Sequence, residues 1–137
     1  MGVSVQVVAQ TGGAIYFTST QYYTSDVLNC TISNNSAVCG GGIASINGSE
    51  TITARDSTLF GNSASQGGAF FNQSRLLAVT NCALLDNSAA QGGGIYNAGL
   101  VTVTDSGITD NSAGDSGGVY NARNNRLTVI GSTVSGN

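Results

Sequence analysis

The chain has 137 residues, 20 of them glycine and none proline, with 8% charged residues and a net charge of −3 from four basic and seven acidic side chains. One domain fits that length, the 40% hydrophobic content argues against disorder, and the acidic balance leaves no basic surface for nucleic acid. Gly, Asn, Ser, Thr and Val are abundant and are weak helix formers, so short strands broken by turns are expected throughout. No apolar run approaches the roughly 18 residues of a membrane helix, so this segment is not expected to insert in a membrane.

In chain order, the opening MGVSVQVVAQ has neither a positively charged start nor a clear cleavage site, and its VSVQVV reads as a short N-terminal strand. A glycine-containing segment then recurs: TGGAIYF at 11–17, GGGIAS at 40–45, QGGAFFN at 66–72, QGGGIYN at 91–97 and SGGVYN at 116–121. Between these lies a second set: TISNNSA at 31–37, TLFGNSA at 58–64, ALLDNSA at 83–89, GITDNSA at 107–113 and TVSGN at 133–137. Self-similarity of this kind marks a repeat architecture. Asn35, Asn62, Asn87, Asn111 and Asn137 follow one another at 27, 25, 24 and 26 residues.

Counting back from each Asn exposes columns. Three residues earlier stand Ile32, Leu59, Leu84, Ile108 and Val134; eight earlier, Val27, Ala54, Val79, Val103 and Val129; ten earlier, Ser25, Ile52, Leu77, Val101 and Leu127. This alternation gives each strand one inward face. Six earlier stand the turn formers Asn29, Asp56, Asn81, Asp105 and Gly131, residues that tolerate positive φ. The fold class predicted is all-β: a right-handed parallel β-helix, or β-solenoid, of about five coils, with 24–28 residues and three short strands per coil, forming a single domain over 1–137. A β-propeller blade needs about 40–45 residues, which the repeat does not supply. Each ladder Asn is expected to hydrogen-bond its equivalent in the next coil, as are Asn72, Asn97 and Asn121. The connection at 17–25 is the longest between coils and is the expected edge for specific contacts.

The repeat NSAAQGGGIYNAGLVTVTDSGITDNSA resembles those of bacterial surface proteins with right-handed parallel β-helix repeats. It is also similar to the GGA(I/L) and FxxN motifs of chlamydial polymorphic outer membrane proteins. Gly12-Gly13-Ala14-Ile15 and Gly67-Gly68-Ala69-Phe70 carry the first motif. Ile32…Asn35, Leu59…Asn62, Leu84…Asn87 and Ile108…Asn111 carry the second, with an aliphatic residue in place of Phe. The resemblance implies an extracellular or cell-surface location and carries no catalytic residue or cofactor.

Gly114-Asp115-Ser116-Gly117-Gly118 resembles the nucleophile stretch of chymotrypsin-like serine proteases. The chain has no His and no Lys to take a proton from Ser116. Repeat drift explains the string, with Ser116 set in the column of Gln66 and Gln91. Asp86 and Asp110 form the one close acidic pair across adjacent coils, at about 5 Å; as turn residues they share a column with Asn34, Gly61 and Gly136, and a weak cation site is the alternative. Tyr16, Phe71, Tyr96 and Tyr120 form a column interrupted by Ala44 and are expected to face outward, stacked on one another or offered to glycans or another chain. A flat threonine array of the kind that binds ice is broken by Arg55. Cys30 and Cys82 sit as small inward residues two coils apart, too far for a disulfide, and Cys39 is a candidate intermolecular thiol.

The function expected is therefore a non-enzymatic, adhesin-like scaffold of a bacterial surface or secreted protein. A self-assembling filament subunit stacked through solenoid ends is one alternative, and a carbohydrate-binding or polysaccharide-active β-helix the other. The partners expected are other copies of the chain, or host or environmental glycans or proteins; no catalytic residue, metal or cofactor is expected.

Overall fold

A computed structural model describes residues 3–5 and 13–137. The strand expected over VSVQVV is therefore described only at Val3–Val5, and Thr11 and Gly12 of the first glycine segment lie outside the described residues. The described residues form a parallel β-solenoid of about five coils, with no helix.

Each full coil contributes four strands where three were expected, and like strands stack into four parallel sheets. Sheet 1 holds the five-residue strands Thr24–Leu28, Thr51–Arg55, Leu76–Thr80, Leu100–Thr104 and Arg126–Ile130. Sheet 2 holds Val3–Val5, Cys30–Ser33, Thr58–Phe60, Ala83–Leu85, Gly107–Thr109 and Thr133–Ser135. Sheet 3 holds Ser36–Cys39, Ser63–Gln66, Ser88–Gln91 and Ser112–Asp115. Sheet 4 holds Ile15–Phe17, Ile43–Ser45, Phe70–Asn72, Ile95–Asn97 and Val119–Asn121. Sheet 3 is the strand the sequence hid: its Ser-Ala-x-x tetrapeptides carry no large apolar residue to mark an inward face.

The register follows the columns read from the asparagines. Ile52 pairs with Leu77 and Leu77 with Val101; Leu59 pairs with Leu84 and Leu84 with Ile108. Those six side chains are at most 1% exposed and, with Ile43, Phe70 and Ile95 from sheet 4, build a core running along the solenoid axis. No coil encloses this core alone; each apolar layer is covered by the coils before and after it.

Turns between sheets 1 and 2, and between sheets 2 and 3, each need one left-handed residue. Asn29, Asp56, Asn81, Asp105 and Gly131 supply it at the first corner with φ of 48–57°, and Asn34, Gly61, Asp86, Asp110 and Gly136 at the second with φ of 53–67°. Asn, Asp and Gly interchange there because they reach that region at the lowest cost.

A third left-handed position lies at the start of the glycine segments. Gly40, Gly67 and Gly92 occupy it, and so does Ser116, with φ of 61°. Asp115, not Ser116, pairs with Gln91, so the expected placement of Ser116 in the Gln66–Gln91 column is one residue out. Counting back four residues from Val119, as from Phe70 to Gln66, gives Asp115. Serine pays a steric cost in this region that glycine does not. Ser116→Gly is therefore expected to raise the unfolding free energy by about 0.5–1 kcal/mol, read as a higher urea midpoint.

Candidate functional site

The Asn ladder runs through five successive coils of the described residues. Asn62, Asn87 and Asn111 are at most 1% exposed. The Nδ2 atoms of Asn35, Asn62, Asn87 and Asn111 donate to Oδ1 of the next asparagine at 2.9–3.0 Å, ending on Asn137. The same Oδ1 atoms accept from the backbone N–H of the preceding asparagine at 3.0–3.1 Å. The second Nδ2 proton reaches back to a carbonyl: Asn62 to Ile32, Asn87 to Leu59, Asn111 to Leu84 and Asn137 to Ile108. Each interior carboxamide thus fills both donor and both acceptor positions.

Asn72, Asn97 and Asn121 form a second ladder, with Nδ2 to Oδ1 distances of 3.0 and 2.7 Å. It stops at Ser45, which pairs with Asn72 in register. There Glu50 folds inward, 1% exposed, and its Oε1 accepts from Ser45 Oγ at 2.7 Å. Its Oε2 has no hydrogen-bond partner among the described residues. Sequence reasoning counted Glu50 only among the acids; the signal for its burial was the missing asparagine at Ser45.

A further polar row lies at the first corner. Ser57 Oγ accepts from the Cys30 N–H, Ser106 Oγ from the Cys82 N–H, and Ser132 Oγ from the Ser106 N–H, at 3.0–3.1 Å. The small inward column that includes Cys30 and Cys82 therefore satisfies backbone as well as filling space. All three cysteines are free thiols.

Phe71, Tyr96 and Tyr120 stack with centroids 5.1 and 5.0 Å apart and interplanar angles of 12–13°. The expectation that this column faces outward needs correction at Phe71, which is only 5% exposed, whereas Tyr16, cut off by the fully buried Ala44, is 45% exposed. A ring inside a parallel stack spends its faces on its neighbours, so the stack offers edges rather than faces to a ligand.

Asp86 and Asp110 lie in adjacent coils, next to the Leu85–Thr109 pair, as left-handed corner residues. At the other corner Asn81 sits between Asp56 and Asp105, and its Nδ2 donates to Asp56 Oδ1 at 2.6 Å. Among the described residues no three His, Cys, Asp or Glu side chains converge as metal ligands. Ser116 Oγ donates only to the neighbouring Asp115 Oδ1, at 3.0 Å.

Cys39 pairs with Gln66 in register, and its thiol lies 4.0 Å from Gln66 Oε1. It is half-buried, and desolvation pushes its pKa up; Cys82 is raised by the same cause. For an acid raised by folding, the stabilisation is present below the unfolded thiol value of about 8.5 and is lost as pH climbs from there through the folded value. Cys39 is therefore expected to alkylate with iodoacetamide at pH 7.5 more slowly than it does in the urea-unfolded chain. Its rate should climb above pH 9, with Cys82 slower still. Equal rates in the folded and unfolded chain would show the thiol to be fully solvated.

A scan against protein-family models, a search of curated proteins and a search of solved structures each find no match to the chain.

The connections between sheets 4 and 1 vary from residues 18–23 at the first coil to residues 98–99 at the fourth. In the longest, Tyr22 and Tyr23 are 80% and 64% exposed, and the Arg75 guanidinium carbon lies 5.8 Å from the Tyr22 ring centre. The backbone of that loop is tied to the next coil by Ser49 N–H to Ser19 carbonyl and Thr51 N–H to Tyr23 carbonyl bonds of 2.8 Å. The edge expected to vary does vary, and it borders the outward face of sheet 1.

Proposed function

We propose that the chain is a non-enzymatic structural solenoid, an adhesin-like scaffold segment of a bacterial surface or secreted protein that works outside the cell. The observation that carries this reading is the continuous ladder from Asn35 to Asn137, whose carboxamides are committed to holding coils in register. The acids support it as well. Asp56, Asp86, Asp105 and Asp110 are spent as left-handed corner residues rather than gathered in a cleft. The repeats that resemble those of bacterial surface proteins add to this.

In mechanical terms the solenoid is a stiff spacer. Backbone hydrogen bonding sets neighbouring coils about 4.8 Å apart, so outward side chains form straight rows, and the variable loops at one edge tune what those rows meet. The partners proposed are glycans or proteins of a host or of the environment. The test is a panel of soluble polysaccharides scored for new reducing ends and for unsaturated products, run beside retention of the protein on the same polysaccharides and on matrix proteins immobilised on beads. Retention without turnover is expected. Product formation above the protein-free blank would overturn the scaffold reading.

A further inference from the structure

Sheet 1 presents three outward rows. One runs Thr24, Thr51, Leu76, Leu100, Arg126; the next runs Asp26, Thr53, Ala78, Thr102, Thr128. Where these rows pass the third, fourth and fifth strands, a groove of about 270 Å³ opens, lined by Leu76, Leu100, Val101, Thr102, Arg126 and Thr128. Leu100 is 43% exposed, although it lies within a strand.

Charge is not spread evenly around the coil. Of the four arginines, Arg75 and Arg123 lie in the turns that lead into sheet 1, and Arg126 is the first residue of its fifth strand. Asp56, Asp86, Asp105, Asp110 and Asp115 lie at or beyond the corners that follow sheet 1. Glu50 is buried, and Asp26 stands three strands away from Thr102 along its row. No carboxylate lines the groove. In a chain of net charge −3, the lining of this groove thus carries one cation and no carboxylate, with Arg75 and Arg123 in the turns that lead into the same sheet, an arrangement that favours an anion.

We propose that this groove binds a carboxylate-bearing saccharide, a uronic-acid unit of an acidic glycan. The Arg126 guanidinium offers a planar pair of donors that fits a carboxylate. Leu76 and Leu100 give an apolar floor for the C–H face of a sugar ring. The Thr102 and Thr128 hydroxyls donate and accept, as ring hydroxyls require. The volume falls just short of the roughly 300 Å³ at which drug-sized pockets begin, a size for one or two sugar rings. A polyphosphate needs several cations in a row, and the lining holds one. An acidic peptide that adds as a strand needs a free sheet edge, and the groove lies on a sheet face. This assignment rests on the scaffold reading and names the ligand class that its outward face takes.

The experiment is titration calorimetry of the whole chain with a galacturonic-acid trimer and with a galactose trimer. Wild type, Arg126→Gln, Thr102→Val and Arg55→Gln are compared, each checked for an unchanged denaturation midpoint. Arg126 is exposed, so its replacement leaves the core intact. The acidic trimer is expected to bind at least about tenfold more tightly than the neutral one, and Arg126→Gln to remove that difference. Thr102→Val should weaken both sugars, and Arg55→Gln neither. No binding of the acidic trimer, or binding that Arg126→Gln leaves unchanged, would overturn the proposal. Tighter, Arg126-dependent binding of a glutamate hexapeptide would overturn the saccharide assignment in favour of acidic protein. None of these outcomes produces turnover, so a failed groove leaves the scaffold reading standing, and a cleaved polysaccharide sinks that reading separately.

Discussion

Asn87→Ala is expected to lower the unfolding free energy by about 3–5 kcal/mol. Asn87 sits mid-ladder and fully buried, and its carboxamide makes four hydrogen bonds. Truncation strands the Asn62 N–H and one Asn62 Nδ2 proton, which lose Asn87 Oδ1 at 3.0 Å, and the Leu59 carbonyl, which loses Asn87 Nδ2 at 2.9 Å. Each buried polar group left unpaired costs about 1–3 kcal/mol, whereas a hydrogen bond exchanged with water costs less. Urea denaturation followed by far-ultraviolet circular dichroism reads the change as a lower midpoint. Asn121→Ala, at an exposed residue of the second ladder, should cost under about 1 kcal/mol. A loss at Asn87 no larger than that would mean that water enters the ladder freely and that the row contributes little to stability.

Gly41→Ala is expected to cost roughly 3 kcal/mol, although it adds a single methyl group. Gly41 is buried and does not need a left-handed backbone. It needs room: a Cβ there would lie 2.5 Å from the Ser63 carbonyl oxygen, 2.6 Å from that of Gly68 and 2.7 Å from the Ser63 nitrogen. All three are backbone atoms of the next coil, so relief requires two coils to part against their own hydrogen bonds. Gly107→Ala is the control, because a Cβ at Gly107 meets nothing within 4 Å. It should be neutral or stabilising by up to about 1 kcal/mol, through a less flexible unfolded chain. Equal effects at the two positions would show that glycine is used here for flexibility and not for close approach.

These two residues also show what the sequence makes legible. Asn87 is found by spacing alone, because a ladder demands the same residue once per coil. Aligning on it places Ile52, Leu77 and Val101 in one inward row, as the structure does. The corner residues are equally plain, since positive φ selects Asn, Asp and Gly. What escaped lacks such a constraint. Sheet 3 strands each open on Ser-Ala and continue with Val38-Cys39, Ser65-Gln66, Ala90-Gln91 or Gly114-Asp115, so they carry no repeated apolar alternation. Ser116 was misplaced because a Gly-Gly pair aligns equally well one residue off; only its distance from Val119 fixes it. Phe71 was expected to be exposed because direction was read along one strand, while its burial comes from residues a full coil away. Glu50 gave no periodic signal at all, being a single acid in a connection that changes length from coil to coil.

The carboxamides of the main ladder repeat one orientation: from Asn62 to Asn111 each Oδ1 faces the preceding asparagine, one Nδ2 proton is given to the next asparagine and the other returns to a carbonyl of the preceding coil. Such a string of aligned dipoles polarises each member further and makes the solenoid a vector rather than a symmetric rod. Within the chain, each coil therefore meets the next through the same donor-to-acceptor step, repeated from Asn35 to Asn137.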